Sequence, residues 1–222
     1  DTDPSGMTPK EQIDAINEKE HDMVEKRYST LNRSLLPLLE KNDIFLLKPT
    51  DLNEEQQDFI KNYFEDELYP VLTPMADDSS RPFPFISNNS LNLAIMLKNA
   101  ENTGKLFATL RIPDVFSRIV RLPGENNDFI LIEDIILHFI SNIFSKYTIK
   151  NKGFIRVTRS ADIDEDDHSL EGHEDYREMM ETLIKQRRKL CPIRLEVSPG
   201  LEELEILMLM NFLNLKKHQV FE

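Results

Sequence analysis

The sequence predicts an α+β fold: a mainly antiparallel sheet with packed helices, preceded by part of a helical bundle. Three observations carry that expectation. Apolar residues recur at helical spacing through the first 68 positions, and prolines 70, 74, 82 and 84 then interrupt the pattern. Beyond them come short strand-type segments joined by tight turns, with helices later. The expected division is residues 1–70, the end of a helical bundle domain, and residues 71–222, an α+β domain.

Thr8-Pro9-Lys10-Glu11 reads as a helix start. Threonine caps the free backbone N–H groups, proline fits the first helical position and Glu11 completes a capping box. Ile13, Ile16, Met23, Tyr28, Leu31, Leu35 and Leu38 then form a narrow stripe on a helix running to about Lys41, with a kink expected before Pro37. After the short apolar stretch Ile44–Leu47, Asn53 and Gln56 form a second capping box. Phe59, Ile60, Tyr63, Phe64 and Leu68 are the buried face of that helix, and Pro70 stops it. Two such helices can pair as a hairpin but leave apolar surface uncovered, so the expectation is a bundle whose earlier helices precede Asp1.

Residues 70–84 read as an irregular connector rich in proline, aspartate and serine. Strands are expected at Leu91–Leu97, Leu106–Ile112, Ile119–Leu122, Phe129–Leu131, Phe154–Arg159 and Ile193–Val197. Helices are expected at Glu133–Phe144, in a segment ending near Arg188, and at Leu201–Leu213, the last opened by Ser198 and Pro199. Residues 219–222 look like the start of another strand.

The chain has 222 residues and a formal net charge of −13, from 40 acidic and 27 basic side chains. Such a balance repels nucleic acid, anionic membranes and other polyanions unless a local basic patch overrides it. No apolar run approaches the roughly 18 residues of a membrane span. One cysteine, Cys191, excludes an internal disulfide framework and fits a reducing compartment, so a cytoplasmic location is expected.

Candidate chemical sites fall away one by one. In the acidic loop, Asp162, Asp164 and Asp166 occupy the first, third and fifth positions of a calcium loop. Its sixth position is Asp167 instead of glycine, and its twelfth is His173 instead of glutamate. His168 and His173 lack the further converging ligands of a zinc site. His21 and His138 lie on expected helices without a nearby nucleophile, and Cys191 before Pro192 reads as a buried, inert thiol. With six glycines and no phosphate-loop motif, the ordinary nucleotide cradle is missing. Catalytic, cofactor-binding and metal residues are therefore assigned to none. One dense basic cluster remains: Lys185, Arg187, Arg188 and Lys189 at an expected helix end, where cations also complement the helix dipole. Arg156, Arg159 and Arg194, on expected strands, would extend it toward a polyanion or an acidic partner if those strands are neighbours.

YPVLTPMADDSSRPFPFISNNSLNLAIML, residues 69–97, resembles the entry of the middle, or head, domain of bacterial polyphosphate kinases, where VLTP, PFPFISN and SLNLA follow one another. SGMTPKEQIDAI resembles the start of the last long helix of that family's N-terminal domain. FIRVTRSADIDEDD resembles the head domain's strand and acidic loop, and IRLEVSPGL its late strand and following helix. The likeness runs in consistent order over nearly the whole chain. It implies a parent enzyme that reversibly transfers the terminal phosphate of ATP to polyphosphate, with Mg2+, through a phosphohistidine. In the family those histidines lie in two C-terminal domains and the adenine contacts in early N-terminal helices, neither of which this stretch resembles. None of His21, His138, His168, His173 and His218 inherits a catalytic role. The implied role is architectural: homodimer contacts and shaping the route to the active site, with ATP and polyphosphate bound by other domains. The full-length assembly would be cytoplasmic or membrane-associated. The competing expectation is a free-standing acidic α+β interaction module; a stand-alone phosphatase lacks the metal or nucleophile cluster it needs.

Overall fold

A computed structural model describes residues 4, 6–76, 85–99, 105–160 and 191–222. Its centre is a six-stranded sheet in the order β2 (Pro74–Ala76), β4 (Lys105–Arg111), β3 (Leu91–Asn99), β7 (Tyr147–Arg159), β8 (Pro192–Val197) and β9 (Val220–Phe221). All its pairings are antiparallel except β8 with β9. A smaller sheet joins β1 (Ile44–Leu46), β6 (Asn127–Leu131) and β5 (Ile119–Arg121). The fold is α+β, as its sequence pattern indicates.

Period-two alternation along β3 builds two cores. Leu93, Ile95 and Leu97 point to one face, with Ala108 and Leu110 of β4. Ala94 and Met96 point to the other, with Phe107, Ile155, Val157, Leu195 and Val197. The second core is closed by Leu209 and Leu213 of α6 (Glu203–Leu213). The first is closed by α4 (Ile132–His138), α5 (Ile140–Ile143), the small sheet and α3 (Glu54–Tyr63). Glu133 and Asp134 stand in the first turn of α4, where carboxylates complement the helix dipole. They also bind Arg118 at 2.8 Å and Lys48 at 2.8 Å.

Both predicted capping boxes are present. Thr8 N–H donates to Glu11 Oε2 at 2.7 Å, opening α1 (Pro9–Thr30). Asn53 Oδ1 accepts from Gln56 N–H at 2.9 Å, opening α3. Gln56 is also buried and donates to Asp128 Oδ2 at 2.8 Å, tying the start of α3 to β6. The expected disturbance before Pro37 is a wider π turn, Leu31–Leu35, between α1 and α2 (Leu36–Glu40).

Several local expectations are corrected. α3 does not pair with α1 as a hairpin: Ile60, Phe64 and Leu68 are in one cluster with Leu93, Ile95 and Leu110. Sheet burial offers this strongly amphipathic helix more apolar contact than the thin stripe of α1. That stripe is left exposed, Ile16 and Met23 at 62% and 63%. Within the expected connector, β2 pairs with the edge of β4. The helix expected at Glu133–Phe144 breaks at Phe139, whose ring stacks on Phe64 at 4.8 Å. β7 begins at Tyr147 instead of Phe154, because its polar first half follows β3 to Asn99 across a bulge. Ser198 does not open α6; its hydroxyl accepts from Phe154 N–H at 2.8 Å, and Glu202 with Glu205 makes the cap. Gly200 takes φ +109, and a Cβ there would meet Lys152 O at 2.4 Å.

Two outcomes follow. Ile60→Ala should cost about 2–5 kcal/mol and unfold the helix and sheet in one transition, seen as a lower denaturant midpoint by both circular dichroism and tyrosine fluorescence. Amides at Leu31–Leu35, where no side chain is buried, should exchange with solvent faster than those of Ala94 and Ile95. Equal protection would show a cover for this segment that the described residues do not supply.

Candidate polyanion-facing site

Arg156 and Arg194 do meet. Arg156 stands opposite Glu196 in the β7–β8 register, and Arg194 lies two residues before Glu196 on the same strand face. This face continues the first core toward β9, where it turns polar. Arg159 is out of phase with Arg156, beyond an irregularity in the pairing. It turns to the rim of the second core, donating from Nε to Ile86 O at 2.9 Å with its guanidinium 4.4 Å above the Phe85 ring. Burial pulls its pKa down from the ordinary arginine value, against a raising contribution from Cys191. Lys185, Arg187, Arg188, Lys189, His168, His173, the acidic loop and the helix expected to end near Arg188 lie outside the described residues.

Glu196 is the hub between the two strand arginines. It accepts from Arg156 Nε at 2.6 Å and Nη2 at 2.9 Å, a two-pronged pairing that suits planar guanidinium and carboxylate. Arg194 Nη2 donates to it at 3.0 Å, and Arg27 of α1 approaches to 3.5 Å. Arg194 Nη1 also binds Glu20 of α1. Three guanidiniums thus face two carboxylates. The hydrogen bond that Arg156 donates to Glu196 raises the pKa of Arg156, against the lowering effect of burial.

An aromatic layer lies beside the ion pairs. The Arg194 guanidinium is 4.0 Å from the centroid of the buried Phe221 ring, and the His21 imidazole stacks on the same ring at 4.0 Å and 11°. Two planar groups cannot share one side at that distance, so Phe221 is held between them. His21 Nε2 is 3.0 Å from His218 O, where it donates. Clustering of basic residues along the sequence does not reveal these partners. Their trace in the sequence is the spacing of Glu20, Val24 and Arg27, which share one helix face, and the two-residue step from Arg194 to Glu196.

His138 ends α4, edge-on to Phe139. Cys191 is exposed, correcting the expected buried thiol: it lies at the end of β8, just before the first residue of the β7–β8 register. Among the described residues no three His, Cys, Asp or Glu side chains gather as a metal site, and no helix is long and apolar enough to cross a membrane.

This fold is similar to part of the polyphosphate kinase crystal structure from Porphyromonas gingivalis. The TM-score is 0.74 at 22% identity, covering 94% of this chain and 30% of that one. The family models locate the likeness: residues 55–222 match the polyphosphate kinase middle domain, and residues 1–47 the polyphosphate kinase N-terminal domain. The chain belongs to the polyphosphate kinase family. It is 51% identical to a polyphosphate kinase of Lactiplantibacillus plantarum over 204 residues, covering 90% of this chain and 28% of that relative. It is 36% identical to one of Bacillus cereus, covering 98% of this chain and 32% of that relative. The chain therefore spans about a third or less of the length of these relatives.

Burial pushes the Glu196 carboxyl up, but its bond to Arg156 and the charges of Arg194, Arg156 and Arg27 outweigh this and hold it below the ordinary value. A carboxyl depressed in the folded state contributes stability above its unfolded pKa, near 4.5. That contribution is lost as pH falls through the folded value. Glu196→Gln should therefore cost about 1–3 kcal/mol at neutral pH, with the gap to wild type narrowing below pH of about 4.5. Denaturant titrations of both proteins from pH 3 to 7 measure it; a gap constant with pH would mean that charge pairing is not what Glu196 supplies.

Proposed function

We propose that this chain is an architectural part of a polyphosphate kinase whose longer form transfers the terminal phosphate of ATP reversibly to inorganic polyphosphate. In this reading ATP, Mg2+ and the phosphorylated histidine belong to other domains. The present residues shape the approach to that active site and supply contacts between copies of the enzyme. The observation that carries the reading is the commitment of the two neighbouring strand arginines, Arg156 and Arg194, to Glu196 and Glu20 of the same chain. Groups bound in this way are occupied in holding the fold. His21, stacked on Phe221 and bonded to His218 O, is likewise engaged in packing. Any direct contact with polyphosphate falls in this reading to Lys185, Arg187, Arg188 and Lys189.

Incubating this chain with ATP, Mg2+ and a polyphosphate primer tests the reading. The expected result is no ATP-dependent chain growth and no phosphohistidine by mass spectrometry. Phosphorylation of any of the five histidines would overturn the architectural role.

A further inference from the structure

We propose that α1 is a hinged arm, and that the cluster around Arg194 and Phe221 is the latch seating it on the sheet, so that the arm can leave while both cores stay folded.

The division of the contacts carries this. On the sheet side, Arg156, Arg194 and Glu196 pair with one another and need nothing from α1. On the helix side, among the described residues, Glu20, His21, Arg27 and Tyr28 reach across, Tyr28 toward Arg156. Glu20 binds Arg194, Arg27 reaches Glu196 at 3.5 Å, His21 lies on Phe221, and Val24 is the one buried residue of α1. Lifting α1 away leaves Arg156 and Arg194 both bonded to Glu196, while the one guanidinium charge in excess and the arm's own ions pass to water. Docking is therefore held by a few partly exposed pairs, one stacked ring and one valine. Among the described residues, no side chain of α1 belongs to either core cluster.

A hinge adjoins the arm. From Leu31 to Asp43 no side chain is buried, the helix passes through a π turn at Leu31–Leu35, and Asp43 takes φ 57 in the left-handed region. Beyond the hinge, β1 is fixed separately. Ile44, Phe45 and Leu46 pair in register with Asn127, Asp128 and Phe129, and Leu47 N–H donates to Phe129 O at 2.7 Å. The arm thus has a firm root in the small sheet, a stretch of unburied backbone, and a charged catch on the large sheet.

Hydrogen exchange by mass spectrometry on the chain, wild type and Glu20→Gln, at low and high salt, tests the latch. Amides of Asn17–Tyr28 should exchange about three- to tenfold faster in the variant, and faster in wild type at high salt, with β3 and β4 amides unchanged in both. Acceleration of β3 and β4 in step with α1 would make the helix part of the same cooperative unit and overturn the proposal. So would an α1 indifferent to both changes, or a Glu20→Gln chain that fails to fold.

Discussion

Everything in the described fold is arranged about β3, a strand bordered on both edges and buried on both faces. Its backbone is paired with β4 along one side and β7 along the other. Its side chains from Asn92 to Leu97 are all buried, so alternate residues must satisfy two different cores. A one-residue slip would exchange Leu93, Ile95 and Leu97 with Ala94 and Met96, putting large groups where small ones fit. Register is therefore tightly fixed here. The bulge between Met96 and Leu97 opposite β7 absorbs the mismatch in the longer neighbouring strand.

What lies over each part of the sheet follows from which residues the flanking strands present. Where β3 and β4 offer Leu, Ile and Ala, the covering helices bring Ile60, Phe64, Ile135 and Ile136, and burial holds them. Where β7 and β8 offer Arg156, Arg194 and Glu196 to the same side, an apolar helix would strand their charges. The element that covers them brings Glu20 and Arg27 instead. Charge composition on one end of a sheet face has selected its cover.

The sequence was most legible where local chemistry decides the outcome. Both capping boxes, the disturbance before Pro37 and most strand positions follow from side chains within a few residues of one another. α3 was less legible, because its amphipathic face fits a bundle as well as a sheet, and only the long-range choice of Leu93 and Leu110 as neighbours settles it. The first half of β7, with its lysines and asparagine, carries no strand pattern of its own and is extended by its partner. The site was half legible: Arg156 and Arg194 stood out as cations, whereas Glu196 and Glu20 look like ordinary members of an acidic chain until the register sets them beside arginine.

That asymmetry bears on how basic residues in acidic proteins are read. A polyanion approaching Arg156 must displace a carboxylate held at 2.6 and 2.9 Å. The displaced Glu196 does not diffuse away; it stays tethered beside the incoming phosphates and repels them. A tethered competitor acts at the high effective concentration of an intramolecular ligand, and it is renewed each time the polyanion loosens. With three guanidiniums and two carboxylates on this face, the excess positive charge is one, inside a chain at −13. Arginines spaced along neighbouring strands are thus a poor indicator of phosphate binding when an acid sits within two positions of them on the same strand face. In the proposed architectural role, the acid turns these arginines from ligand groups into the sheet-side half of the contact on which α1 sits.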